Sequence, residues 1–164
     1  MKYFNDGDIL LADFDGVLLD SQKKHNEIMG AETDFYLWME YLNSIDWHTF
    51  LRNCNEIEGA FDTFLELQKL NILKGFITRI HSFDEGKEKV MILRDSGLYV
   101  PIYYALPMQP KSLVYKPNKN TYILDDDPAN NKDWEKNGGK ALLYNPNAKR
   151  NSQKTIKKIP NLLK

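Results

Sequence analysis

Cysteine is nearly missing from this 164-residue chain: Cys54 stands alone, which excludes an internal disulfide and a zinc site built on cysteines. A bystander thiol is the expectation for it. Histidine is scarce as well. His25, His48 and His81 are the three, none at metal-ligand spacing, so each is expected to be structural or solvated. No apolar run approaches the length that spans a bilayer, and the opening residues carry acids where a signal peptide would be apolar. A cytoplasmic location with no membrane partner is expected. An excess of charge of one sign is also absent: the formal net charge of −1 gives no general attraction to nucleic acid. No repeat or low-complexity tract appears, and the length bounds one domain with a substantial core and room for a small insertion.

What the chain does have is acid at the ends of apolar runs. Ile9-Leu-Leu-Ala12 reads as a strand buried on both faces and is followed by Asp13, Phe14, Asp15 and Gly16. Side chains alternate along a strand, so the two acids start on the same side, and Gly16 lets the backbone turn away. Ligands of open α/β sheets bind beyond the carboxyl ends of such strands. The acids therefore form a cluster suited to Mg²⁺. Thr121-Tyr-Ile-Leu-Asp-Asp-Asp-Pro128 repeats the pattern, and between the two lies Leu73-Lys-Gly-Phe-Ile-Thr78, a strand-like run ending in a hydroxyl. Lys111 and Lys116 precede the second acidic cluster.

Hydrophobic patterning predicts strands over 9–14, 73–78, 100–105, 121–125 and 140–144 and helices over 58–71, 83–95 and 128–137. A proline-rich loop is expected up to residue 117. This alternation predicts an α/β fold, a Rossmann-like parallel sheet with helices on both faces. Residues 22–56 are too long for a simple crossover and helical in pattern, so they are expected to form a small helical cap inserted after the first strand. Residues 1–21 and 57–164 would then make the core. Phe35, Tyr36, Trp38, Tyr41, Trp47 and Phe50 crowd into the cap. Most must hold its helices together, and one or two are free to stack on a planar leaving group. The tail from Pro146 carries six basic residues and no acid, and is expected to be a solvated end, with attraction of a polyanionic substrate as the alternative.

Taken singly, each motif has an ordinary reading. Asp-x-Asp-Gly occurs in calcium loops, although residues 17–24 lack the further oxygen ligands such a loop needs. Thr78 alone would be a helix cap, Arg79 an exposed arginine, and Asp125 to Asp127 a solvated loop. Together and in order, Asp-x-Asp, Thr, Lys and Asp-Asp resemble the haloacid dehalogenase (HAD) superfamily of phosphotransferases over roughly residues 8 to 145. The resemblance implies a phosphatase with Asp13 as nucleophile, Asp15 as general acid and base, Thr78 as a donor to the phosphoryl group and a lysine to neutralise its charge. Lys111 is preferred for that lysine because Lys116-Pro-Asn reads as a turn; Lys116 stays the alternative. It further implies Mg²⁺ held by Asp13, the main-chain carbonyl of Asp15, and Asp126, with Asp125 in support and Asp127 leading out of the site. Asn130 stands where many relatives carry an acid.

Ile123-Leu-Asp-Asp-Asp-Pro-Ala-Asn-Asn and Trp134-Glu-Lys-Asn-Gly-Gly139 are similar to the corresponding stretch of small deoxyribonucleotidase-like members. The expected substrate is therefore a small phosphorylated molecule, first a nucleoside monophosphate. A phosphatase of another small metabolite, or of nucleic-acid 3'-phosphate ends, is the rival within the class. A module that binds a phosphorylated ligand or protein without turnover is the alternative outside it.

Overall fold

The computed structural model describes residues 3–30 and 34–164; residues 31–33 of the expected cap and residues 1 and 2 lie outside the described residues. Six parallel strands form its centre: β1 (Ile9–Ala12), β2 (Leu73–Arg79), β3 (Ile102–Ala105), β4 (Thr121–Asp125), β5 (Lys140–Tyr144) and β6 (Thr155–Ile156). Their order across the sheet is β3-β2-β1-β4-β5-β6. This is the expected Rossmann-like α/β architecture, with β1 flanked on both sides.

Alternate side chains of β1 point to opposite faces and make two cores. Leu10 and Ala12 join Phe64, Phe76, Leu124 and Leu142, while Leu11 joins Ile77, Ile123 and Trp134. The first face is covered by helices α4 (Ala60–Lys69) and α5 (Phe83–Asp95), which supply Phe64, Leu67, Ile92 and Leu93. The second is covered by α6 (Lys111–Val114) and α7 (Pro128–Lys136). Trp134 fills that face completely buried, and its indole N–H donates to the Thr121 carbonyl at 3.1 Å.

The segment after β1 forms α1 (Ser21–Met29), α2 (Phe35–Ser44) and α3 (Trp47–Arg52). Asp34 caps α2 and Asp46 caps α3 by accepting main-chain N–H bonds, each satisfying donors that a helix start leaves open. The chain enters and leaves this segment side by side: the amide of Asp20 donates to the Asn55 carbonyl, and the Asp20 carboxylate accepts from the amide of Asn55 at 2.7 Å. Helix α3 rests on α5 through Arg52 to Asp95 at 2.8 Å and His48 to Glu88 at 2.9 Å.

Two expectations need correction. The proline-rich loop contains α6, started by Pro110 and held by the buried Lys111. The basic tail is not a solvated end. It adds β6 beside β5 and a short 3-10 helix at Ile159–Leu163, whose Ile159 and Leu162 join Ile156 in the larger core. The sequence hid this because its few apolar residues, Ile156, Ile159, Leu162 and Leu163, follow no strand period among the lysines. Strand β1 also ends at Ala12 and β3 begins at Ile102, two residues inside the expected limits. No described helix is long and apolar enough to cross a membrane.

Candidate active site

Register sets the site. Ala12 on β1 pairs with Leu124 on β4 and with Phe76 on β2, so the residues that follow each strand emerge at one edge. Asp13 and Asp125 are neighbours there, and the amide of Asp13 donates to the Leu124 carbonyl at 2.8 Å. Oxygens of Asp13, Asp125 and Asp126 lie within 4.8 Å of one another. Gly16 makes room for the third. Its φ of +74° is in the left-handed region, and a Cβ built there would sit 2.1 Å from Asp126 Oδ2.

Lys111, not Lys116, is the lysine of this cluster. Its Nζ lies 2.8 Å from Asp13 Oδ2 and 2.7 Å from Asp125 Oδ2, whereas Lys116 is exposed. Asp125 is fully occupied: it also accepts from the Asn130 amide at 3.1 Å on both oxygens and from the Asp127 main-chain N–H at 2.9 Å. Asn130 is thus spent on Asp125 rather than turned outward, and its own oxygen accepts from Arg79 at 2.9 Å. Asp127 caps α7 by accepting from the amide of Ala129.

Burial first, and neighbouring charge second, set the titration of the cluster. Burial, opposed by Lys111 and reinforced by Asp125 and Asp15, pushes Asp13 up to about 8. Burial and then the neighbouring Asp125 push Asp126 up to about 7. Burial disfavours the charged Lys111, yet Asp13 and Asp125 overcome it and hold the ammonium above its ordinary range. One lysine faces three carboxylates, so ionising all three leaves two negative charges uncompensated. A divalent cation with a taste for hard oxygen donors fits that deficit, and Mg²⁺ is such an ion.

Asp15 is held differently. Its Oδ1 accepts from Ser21 Oγ at 2.6 Å, and its Oδ2 accepts from Lys89 Nζ at 2.5 Å and Thr78 Oγ1 at 3.0 Å. Burial alone would raise its pKa, but the charge of Lys89 and these hydrogen bonds bring it below the usual carboxylate value. Thr78 is completely buried, so its hydroxyl supports Asp15 in this arrangement and reaches a phosphoryl oxygen only by turning away from it.

The carboxylates floor a cavity of about 520 Å³. Gln22, His25 and Trp38 wall it from the helical segment, and Arg79 and His81 from the loop after β2. Among the six aromatic residues noted in the segment, Trp38 is the one that lines it. His25 is buried where it borders the cavity, packed 4.2 Å from Phe50 ring to ring and 2.9 Å from the Tyr41 hydroxyl, and burial lowers its pKa to about 4. Lys89 and Glu85 were not singled out from sequence. Their signal is there: Glu85, Lys89, Ile92 and Leu93 fall at i, i+4, i+7 and i+8, the stripe of α5 that turns inward.

Neither a family model nor a curated protein matches this sequence. Solved structures do match its fold. A HAD-superfamily hydrolase from Ehrlichia chaffeensis superposes with a TM-score of 0.54 at 11% identity, over 95% of this chain and 97% of that one. A putative beta-phosphoglucomutase from Thermotoga maritima gives 0.55 at 13% identity over 95% and 98%, and a HAD hydrolase of family IA, variant 3, from Entamoeba histolytica HM-1:IMSS gives 0.51 at 11% over 94% of each. The fold is therefore one shared with HAD-superfamily hydrolases.

Proposed function

We propose that this protein is a HAD-type phosphatase: a Mg²⁺-dependent phosphomonoester hydrolase that works through an aspartyl-phosphate on Asp13. The observation that carries the reading is the meeting of Asp13, Asp125 and Asp126 within 4.8 Å, with Lys111 2.8 Å from Asp13, at the carboxyl ends of adjacent strands. Mg²⁺ would be held by Asp13, Asp126 and the main-chain carbonyl of Asp15, and when bound it neutralises charge on the transferring phosphoryl group. Asp13 attacks phosphorus, and the ester oxygen departs with a proton from Asp15, which is ionised in the free protein and takes that proton up as the anionic phosphate comes to lie beside it. Water then attacks phosphorus, gives its proton to Asp15 and frees Asp13 as carboxylate. Lys111 orients Asp13 and offsets the charge that gathers around it.

The segment 22–56 acts as a cap that selects the leaving group. A cavity of about 520 Å³ suits a molecule the size of a nucleotide, and Trp38 offers a flat apolar surface to a base. A nucleoside monophosphate is the proposed substrate, and a soluble cytoplasmic enzyme the proposed setting. Hydrolysis of p-nitrophenyl phosphate with and without Mg²⁺, by the natural chain and by Asp13→Asn, tests the chemistry. Loss of turnover by at least about 1,000-fold in the variant is expected. Undiminished turnover in it sinks the assignment of the nucleophile. A panel of nucleotides, sugar phosphates and 3'-phosphorylated oligonucleotides tests the substrate, and equal rates across it remove the preference for nucleotides.

A further inference from the structure

Lys89 is the one completely buried ammonium on α5, and nothing in the reaction outlined above uses it. Its Nζ lies 2.5 Å from Asp15 Oδ2, 2.8 Å from Glu85 Oε1, and 2.9 Å from both Thr78 Oγ1 and the Arg79 carbonyl. Three N–H bonds thus serve four acceptors, and no direction is left over for a ligand. Glu85 is anchored in turn, its other oxygen accepting from the main-chain N–H of His81 at 2.7 Å and facing His81 Nδ1 at 3.1 Å. Burying such a charge is costly, and an apolar side chain in line with Ile92 and Leu93 would serve folding as well or better. What the charge does accomplish is directional. It grips one oxygen of Asp15 while Ser21 grips the other, and the side chain of Asp15 keeps 23% of its surface open while that of Lys89 keeps none.

We infer that Lys89 is a positioning residue, fixed by Glu85, that acts through Asp15: it aims the acid–base carboxylate at the reacting oxygen for both proton transfers. This rests on the phosphatase reading above. The two transfers differ in how much they need Asp15. A nitrophenolate leaves without a proton, an alkoxide does not, and water attack on the aspartyl-phosphate needs the base whatever left before it.

Lys89→Met and Lys89→Gln, the latter keeping a hydrogen bond without the charge, are compared with the natural chain on p-nitrophenyl phosphate and glycerol phosphate under stopped flow. With Mg²⁺ present, the aryl ester should give a burst of about one equivalent of nitrophenolate at close to the natural rate. A steady state slowed about 100-fold follows, with acid-stable phosphate trapped on the protein. The alkyl ester should show no burst and a rate slowed at the first step. In an Asp15→Asn background, Lys89→Met should add less than about threefold, because a residue that works through Asp15 has nothing left to aim. Equal slowing of both esters without trapped phosphate, or multiplicative losses in the double variant, would make Lys89 a merely structural ion and overturn the inference. If the natural chain shows no Asp13-dependent turnover at all, the phosphatase reading fails and the inference falls with it.

Discussion

Gly16 does two things at one position. It takes a left-handed φ of +74° and leaves open the space where Asp126 places its carboxylate, 2.1 Å from where a Cβ would be. Gly16→Ala must therefore strain the turn, by about 1 to 2 kcal/mol, and push Asp126 aside. The expected outcome is a lower melting temperature together with at least tenfold weaker Mg²⁺ binding by calorimetric titration. Unchanged Mg²⁺ affinity in a folded variant would remove Asp126 from the proposed ligands. At this scale the sequence was informative where residue types follow one another closely, as in Asp13 to Gly16 and Asp125 to Asp127. It was silent where chemistry is assembled across the fold. Asp15 and Lys89 are 74 residues apart and meet at 2.5 Å, and no local pattern announces that pairing.

Among the elements, the last strand and its 3-10 helix decide more than their length suggests. Ile156, Ile159 and Leu162 are buried, and Gly59 at the start of α4 would put a Cβ 2.8 Å from Pro160. Burying three such side chains is worth roughly 5 to 9 kcal/mol, comparable with the whole stability of a domain. Removing residues 153–164 should therefore leave a chain without a cooperative thermal transition; a truncated protein that melts as the full one does would return the tail to solvent. The ion pairs of the tail, Lys154 to Glu135 and Lys158 to Glu58, are exposed and contribute little. Alternating strands and helices were legible because buried parallel strands read as continuous apolar runs. Strand β6 was not, because two residues pairing with β5 at an edge carry no period.

For the molecule as a whole, the raised Asp13 and Asp126 tie stability to pH and to Mg²⁺. A carboxyl whose folded pKa lies above its unfolded value contributes stability while protonated, and that stability is lost as pH rises through the folded value. For these two, with folded values of about 8 and about 7, the loss continues across neutrality. His25 acts in the opposite sense, but only below its ordinary value of about 6.5, and Asp15 and Glu85 are lowered and titrate in acid. Between pH 6.5 and 8.5 the metal-free protein should therefore melt at steadily lower temperature. Added Mg²⁺ should raise the melting point more at pH 8.5 than at 6.5, since it competes with protons for the same oxygens. A flat melting profile over that window, with or without Mg²⁺, would mean that these carboxyls are not coupled as described.

The clasp between Asp20 and Asn55 has a mechanical consequence. Leu19 bridges to Asp15 on one side and to Glu56 on the other, so the two rails of the helical segment run directly into the turn that bears Asp15. Any outward swing of α1 to α3 would therefore pull on that turn. Under the phosphatase proposed above, admission of the substrate and proton delivery by Asp15 would share a single pivot.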